Sequence, residues 1–163
     1  MRKGLADLPV AGSRSVQAFT LPELLIAAAV VGVLSAVSVP TMSVTIQGYR
    51  ARTSAWQLAG DLRLARQNAV STTRRHRVCF VNCGGHVPEN GYLIQRQEGA
   101  SWEIQGQVEP SSKDLRLGSN ATITFSETGE ASAGTVTISS GAASFQVRTH
   151  FTGKVTVCRG ACP

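Results

Sequence analysis

The chain has 163 residues, with sixteen Lys and Arg against ten Asp and Glu, a net charge of +6. That length suits one modest domain with appendages. The composition, 42% hydrophobic and 16% charged, is on average that of a soluble protein, but the average hides an apolar N-terminal fifth, which argues against a purely soluble chain.

Residues 1–18 carry Arg2, Lys3 and Arg14 against Asp7, a net of +2. They hold no apolar core of the length a conventional secretory signal needs. Such a signal places an apolar region of about 7–15 residues before its cut. Here the apolar region comes later and would stay with the mature protein. Glu23 stands at its head, and from Leu24 to Tyr49 there are twenty-six residues without Asp, Glu, Lys, Arg or His. A membrane helix needs roughly 20 mostly apolar residues, so the run is long enough to cross a bilayer once. An acid inside such a segment costs about 2.5–3.5 kcal/mol and implies a partner charge. The basic leader predicts a cytoplasmic N-terminus. An uncleaved signal anchor is the plain alternative.

The order Ala18-Phe19-Thr20-Leu21-Pro22-Glu23-Leu24-Leu25 resembles the class III signal of type IV pilins and type II secretion pseudopilins. The resemblance implies cleavage by a prepilin peptidase between Ala18 and Phe19, and methylation of the new amino group on Phe19. Glu23 becomes the fifth residue of the mature chain. The sequence departs from the family at one position, with Ala18 where glycine usually precedes the cut.

The apolar segment is read as helix in spite of its valines, because in lipid every backbone group must be satisfied within the segment. Pro22 falls in the first turn, where a missing N–H does no harm. Pro40 is interior and is expected to kink or locally melt the helix. Gly32, Ser35, Ala36 and Ser38 are small enough for helices to approach closely. The resemblance gives this a use: the segment bundles with other pilin helices, and Glu23 pairs with the Phe19 amine of a neighbouring subunit.

From Tyr49 to about Thr72 the pattern becomes amphipathic. Leu58, Leu62, Ala65 and Ala69 recur at helical spacing, Leu64 belongs to a neighbouring stripe, and Arg52, Arg63 and Arg66 decorate the other faces. The stretch 58–70 resembles the equivalent helix of the GspH/FimT branch, with its L-x-x-A-R-x-x-A pattern. Residues 73–163 read as β. Strands are expected at 78–81, 91–95, 101–104, 122–125, 135–138, 143–148 and 154–157, separated by Gly, Asn and Ser turns. Such alternation fits antiparallel strands with one packed and one solvated face. Phe125-Ser126-Glu127-Thr128-Gly129-Glu130 and Thr152-Gly153-Lys154-Val155 resemble two further GspH/FimT signatures.

The cysteines form two Cys-x3-Cys pairs. A position outside the inner membrane permits disulfides. Four cysteines allow three connectivities; Cys79–Cys83 and Cys158–Cys162 are preferred, since each closes a local loop beside a strand end. A zinc site of four thiolates is the alternative. His76, His86 and His150 lack metal-ligand spacing, no nucleophile motif occurs, and no phosphate loop or paired carboxylates appear. No catalysis, cofactor, metal or small-molecule substrate is expected.

Beyond the leader there are thirteen basic and nine acidic residues, a net of +4. Arg63, Arg66, Arg74, Arg75 and Arg77 cluster near the helix–sheet junction, and clustered positive charge attracts polyanions. Some FimT-type minor pilins bind DNA through a C-terminal G-R-x-R segment. Here only Arg159 matches it, with Arg148 and Lys154 as helpers.

The expected architecture is α+β and pilin-like: a leader over 1–18, a transmembrane helix over 19–48, and a periplasmic GspH/FimT-like head over 49–163. The head is the amphipathic half-helix packed on an antiparallel sheet. The expected function is that of a minor pilin at or near the tip of a type IV pilus, supporting its biogenesis. Its partners would be prepilin peptidase, other pilins and the inner membrane. The alternatives are a type II secretion pseudopilin and a DNA-binding minor pilin for natural transformation.

Overall fold

The computed structural model describes residues 19–162 apart from 111, 120 and 121, and among these it leaves the side chains of 37–41 and 43 undescribed. One helix, α1 (Leu21–Thr72), precedes eight strands. They are β1 (His76–Cys79), β2 (Tyr92–Glu98), β3 (Ser101–Val108), β4 (Arg116–Gly118), β5 (Ile123–Phe125), β6 (Gly134–Ser140), β7 (Ala143–Thr149) and β8 (Val155–Arg159). The chain falls into two units, Met1–Val39 and Pro40–Pro163. The assigned helix continues past Pro40, whose side chain lies outside the described residues.

In the second unit the strands form two antiparallel sheets, ordered β3-β2-β1-β5 and β4-β6-β7-β8. Ala51, Ala55, Leu58, Leu62, Ala65 and Ala69 of α1 are all buried. Their alternating steps of four and three trace one face of a helix. They join Val78, Ile123 and Phe125 of the first sheet and Val136, Ile138 and Val147 of the second in a single core. Four of these six helical residues are alanine, so small side chains make up most of this stripe. The stripe starts at Ala51, two turns before the first residue that the leucine pattern picks out.

The strands differ from expectation at particular places. β1 begins at His76 and ends at Cys79, two residues earlier than the apolar run 78–81 predicts. β1 is an interior strand, paired with β2 on one edge and β5 on the other. It therefore buries His76, whose Nδ1 lies 3.0 Å from the Arg74 carbonyl. β4 escapes the sequence reading altogether, being three residues long on an edge. β2 and β3 meet through a bulge at Ile94/Gln95.

One polar contact ties α1 to the first sheet. The Tyr92 hydroxyl donates to the Asp61 carboxylate, and the Tyr92 ring packs on Phe80 at 5.7 Å. Burial first, then the bond to Asp61 and its charge, push the Tyr92 phenol well above its usual range. An unfolded tyrosine ionises near pH 10, whereas the folded one stays protonated. Stability from this group is therefore complete below about pH 10 and is lost as the pH rises above it. Tyr92→Phe should cost about 1–2 kcal/mol by stranding Asp61. Urea midpoints at about pH 8 and about pH 11 should fall further in the parent chain than in the variant; equal falls would assign the alkaline loss elsewhere.

Candidate functional site

The first unit presents its side chains outward. α1 starts at Leu21, with the Leu24 amide donating to the Thr20 carbonyl at 3.2 Å and Glu23 in the first turn. An acid there sits favourably against the positive end of the helix dipole. Leu21, Leu24, Leu25, Ile26, Val30, Val31, Val33 and Leu34 are all more than half exposed. A helix apolar on every side needs cover from lipid or from other helices. Ser35 returns its hydroxyl to the Val31 carbonyl at 2.8 Å, which satisfies it inside the helix, as an apolar surrounding demands. Glu23 makes no ion pair with a described residue. Ala18 and the rest of 1–18 lie outside the described residues. Among the described residues no helix is long and apolar enough to cross a membrane. The charge-free run counted from the sequence includes residues whose side chains are outside that set.

In the second unit most of the basic cluster is occupied by structure. Arg66 donates from Nε to the Gly129 carbonyl at 2.9 Å and from its terminal nitrogen to the Thr152 carbonyl at 3.2 Å. It thereby clasps the two turns that carry Phe125–Glu130 and Thr152–Val155. Arg63 reaches the Val155 carbonyl at 3.3 Å. Arg74 pairs with Glu98, and Arg50 with Asp114 at 3.3 Å. Arg77 bonds to Gln95 and stacks over Trp102 at 4.1 Å, where burial lowers its pKa. Four of the five arginines of the expected basic cluster are thus bonded within the head, to carbonyls, a carboxylate, a side-chain amide and a ring, while Arg75 makes no side-chain bond to a described residue.

The three residues named for DNA contact do not converge. In the register Arg148 faces Thr156 and Phe145 faces Arg159. Side chains alternate between the two faces of a sheet, so Arg148 and Arg159 project from opposite faces. Lys154 lies exposed in the turn before β8. The cysteines close as Cys79–Cys83 and Cys158–Cys162, and no free thiol remains for a zinc site. The second bridge loops the chain after β8 back, and the Cys162 amide donates to the Gln146 side chain at 3.0 Å. His86 is exposed and His150 half-buried. Among the described residues no group of three or more His, Cys, Asp or Glu could hold a metal.

Residues 54–153, three fifths of the chain, match the family model for the type II transport protein GspH. The chain belongs to the GspH family. A second model, the prokaryotic N-terminal methylation motif, matches residues 13–39. With both, the chain is a minor pilin or pseudopilin, of a kind that is membrane-anchored and assembled into pili or pseudopili. No curated protein matches it.

Two solved structures share the fold. One is the minor pseudopilin EpsH from the type II secretion system of Vibrio cholerae, at 13% identity and a TM-score of 0.57, with 68% of this chain and 97% of that one covered. The other is the type IV minor pilin FimU of Pseudomonas aeruginosa, at 18% identity and a TM-score of 0.50, with 65% and 86% covered. The helix-on-sheet architecture expected from the sequence is the GspH fold.

The GspH match ends at Gly153, inside the Arg66 clasp. Gly153 has φ +77°, and a Cβ there would stand 2.2 Å from the Gly129 carbonyl oxygen and 2.5 Å from Arg66 Nε. Sequence reading placed Arg66 off the apolar stripe, in the basic cluster near the helix–sheet junction, and gave it no bond to the turns. The signal that could have found it is the pairing of one helical arginine with two separate glycine turns. Gly153→Ala should cost about 1–3 kcal/mol through strain and the broken clasp. Thermal melting would measure the loss, and an unchanged midpoint would mean that the turn relaxes without the clasp.

Proposed function

We propose that this GspH-family chain is cut between Ala18 and Phe19, methylated on Phe19, and held in the bacterial inner membrane by residues 19–48. Its N-terminus faces the cytoplasm and its head the periplasm. It is then incorporated at or near the tip of a type IV pilus and supports pilus biogenesis. The reading rests on one observation: Glu23 makes no ion pair with a described residue and heads the charge-free run 24–49, whose described apolar side chains from Leu24 to Leu34 are exposed. An acid and an ammonium group in lipid are each costly alone. A neighbouring subunit brings its own Phe19 amine alongside and relieves both. The same step covers the apolar flanks, with Gly32 and Ser35 among the small residues at which helices can approach closely. The partners of the chain are prepilin peptidase and other pilins.

The family's own description, a type II transport protein, favours a second filament, the secretion pseudopilus. Deletion separates the two. A pilus subunit should reduce surface pili and spare exoprotein release, and a pseudopilin should do the reverse.

Mass spectrometry of the membrane-extracted protein should find methylated Phe19 at its start. A chain retaining residues 1–18 in cells with active prepilin peptidase would refute processing. Glu23→Ala should leave cleavage and membrane retention intact while removing the chain from sheared filaments. Undiminished incorporation would rule out the charge pairing.

A further inference from the structure

A groove of about 510 Å³ opens between α1 and the edge strand β8. Tyr49, Arg52 and Trp56 line it from the helix, and Phe145, Val157 and Arg159 from the sheet. Tyr49 is 70% exposed and Trp56 50%, which is unusual for large aromatics so close to a core. No carboxylate is among the described lining residues. Arg52 and Arg159 are exposed and, unlike Arg63, Arg66, Arg74 and Arg77, make no side-chain hydrogen bond or ion pair with a described residue. Two cations thus face one aromatic groove with no counter-charge.

The backbone of β8 adds a second requirement. The Lys154 carbonyl accepts from the His150 amide, and the Gly160 amide donates to the Ser144 carbonyl. In an antiparallel ladder such pairs recur at every second residue. The even-numbered residues of β8 therefore bond to β7, and Val155, Val157 and Arg159 turn their N–H and C=O groups to the free edge. Arg63 covers the first of these carbonyls, at Val155. The groups of Val157 and Arg159 open onto the groove. An edge of this kind templates a further strand.

The geometry points to this groove as a docking site for an acidic, extended polypeptide segment of a partner protein, added as a strand beside Val157–Arg159. Its carboxylates meet Arg52 and Arg159, and its apolar side chains lie against Tyr49, Trp56 and Phe145. Charge selects an acidic ligand. The free edge selects a polypeptide, because a nucleic acid strand does not offer alternating amide donors and acceptors. The Cys158–Cys162 bridge holds Arg159 at the mouth of the groove. The site does not require the chain to polymerise.

The test uses the full chain in detergent micelles with Trp102→Phe, which leaves Trp56 as the indole reporter. The probes are an octapeptide alternating Glu and Val with blocked ends, its Lys-for-Glu counterpart, its alternately N-methylated form, and an eight-nucleotide oligothymidylate. The Glu peptide should shift Trp56 emission saturably, while the Lys and N-methylated peptides should bind at least about tenfold more weakly. Arg52→Ala and Arg159→Ala should each weaken the Glu peptide about fivefold or more, and Arg159→Lys should recover part of the loss. Arg148→Ala, on the opposite face, should stay within about twofold of the parent. The proposal is overturned if the Glu peptide does not bind, or if Arg159→Ala leaves its binding unchanged. Equal binding of the N-methylated form would remove strand addition, and tighter binding of oligothymidylate would make the groove a nucleic acid site.

Discussion

The packing of one helical stripe into a core shared by two sheets is the constraint on which the head depends. The buried face of the helix is mostly alanine, with Leu58 and Leu62 as its large members. Small side chains bury little area each. The face therefore relies on packing both sheets against a single stripe, which joins all the apolar inner positions into one core. A larger residue at Ala55 or Ala65, both fully buried, would have to push its packed neighbours aside, since interiors are close-packed.

Polar groups finish what the alanines begin. On the flanks of the stripe, Asp61 accepts from Tyr92 of the first sheet, while Arg63 and Arg66 donate to backbone carbonyls around the second. Backbone carbonyls at turns and strand edges otherwise require water or a partner. A guanidinium with its fork of donors can hold two at once, as Arg66 does. The positive charge of the sequence is thus divided in kind. Part of it is built into the helix–sheet joint, and part of it, at Arg52 and Arg159, is left facing solvent.

Sequence patterning reveals the helix and most strands, because each rests on a local pattern: a charge-free run, a helical stripe, or alternation over four or more residues. It fails where position is decided by neighbours. β1 is placed by its two flanking strands, so it takes in the polar His76 and releases Phe80 and Val81. β4 is too short to alternate. The grouping into two sheets, and the division of arginines between joint and surface, depend on contacts across 60 residues or more, as from Arg66 to Gly129. The N-terminal segment is the reverse case. The chemistry proposed for it is argued from residues 18–49 alone, because it concerns lipid and other chains rather than contacts within the head.

Both disulfides span only four positions. In the chain-entropy account, a loop this small contributes about 2 kcal/mol, against roughly 4.5 for a bridge from Cys79 to Cys158. Each bridge can therefore close within its own strand end, before the two sheets have met. With partners four positions apart, the chain acquires both crosslinks without having to sort distant thiols.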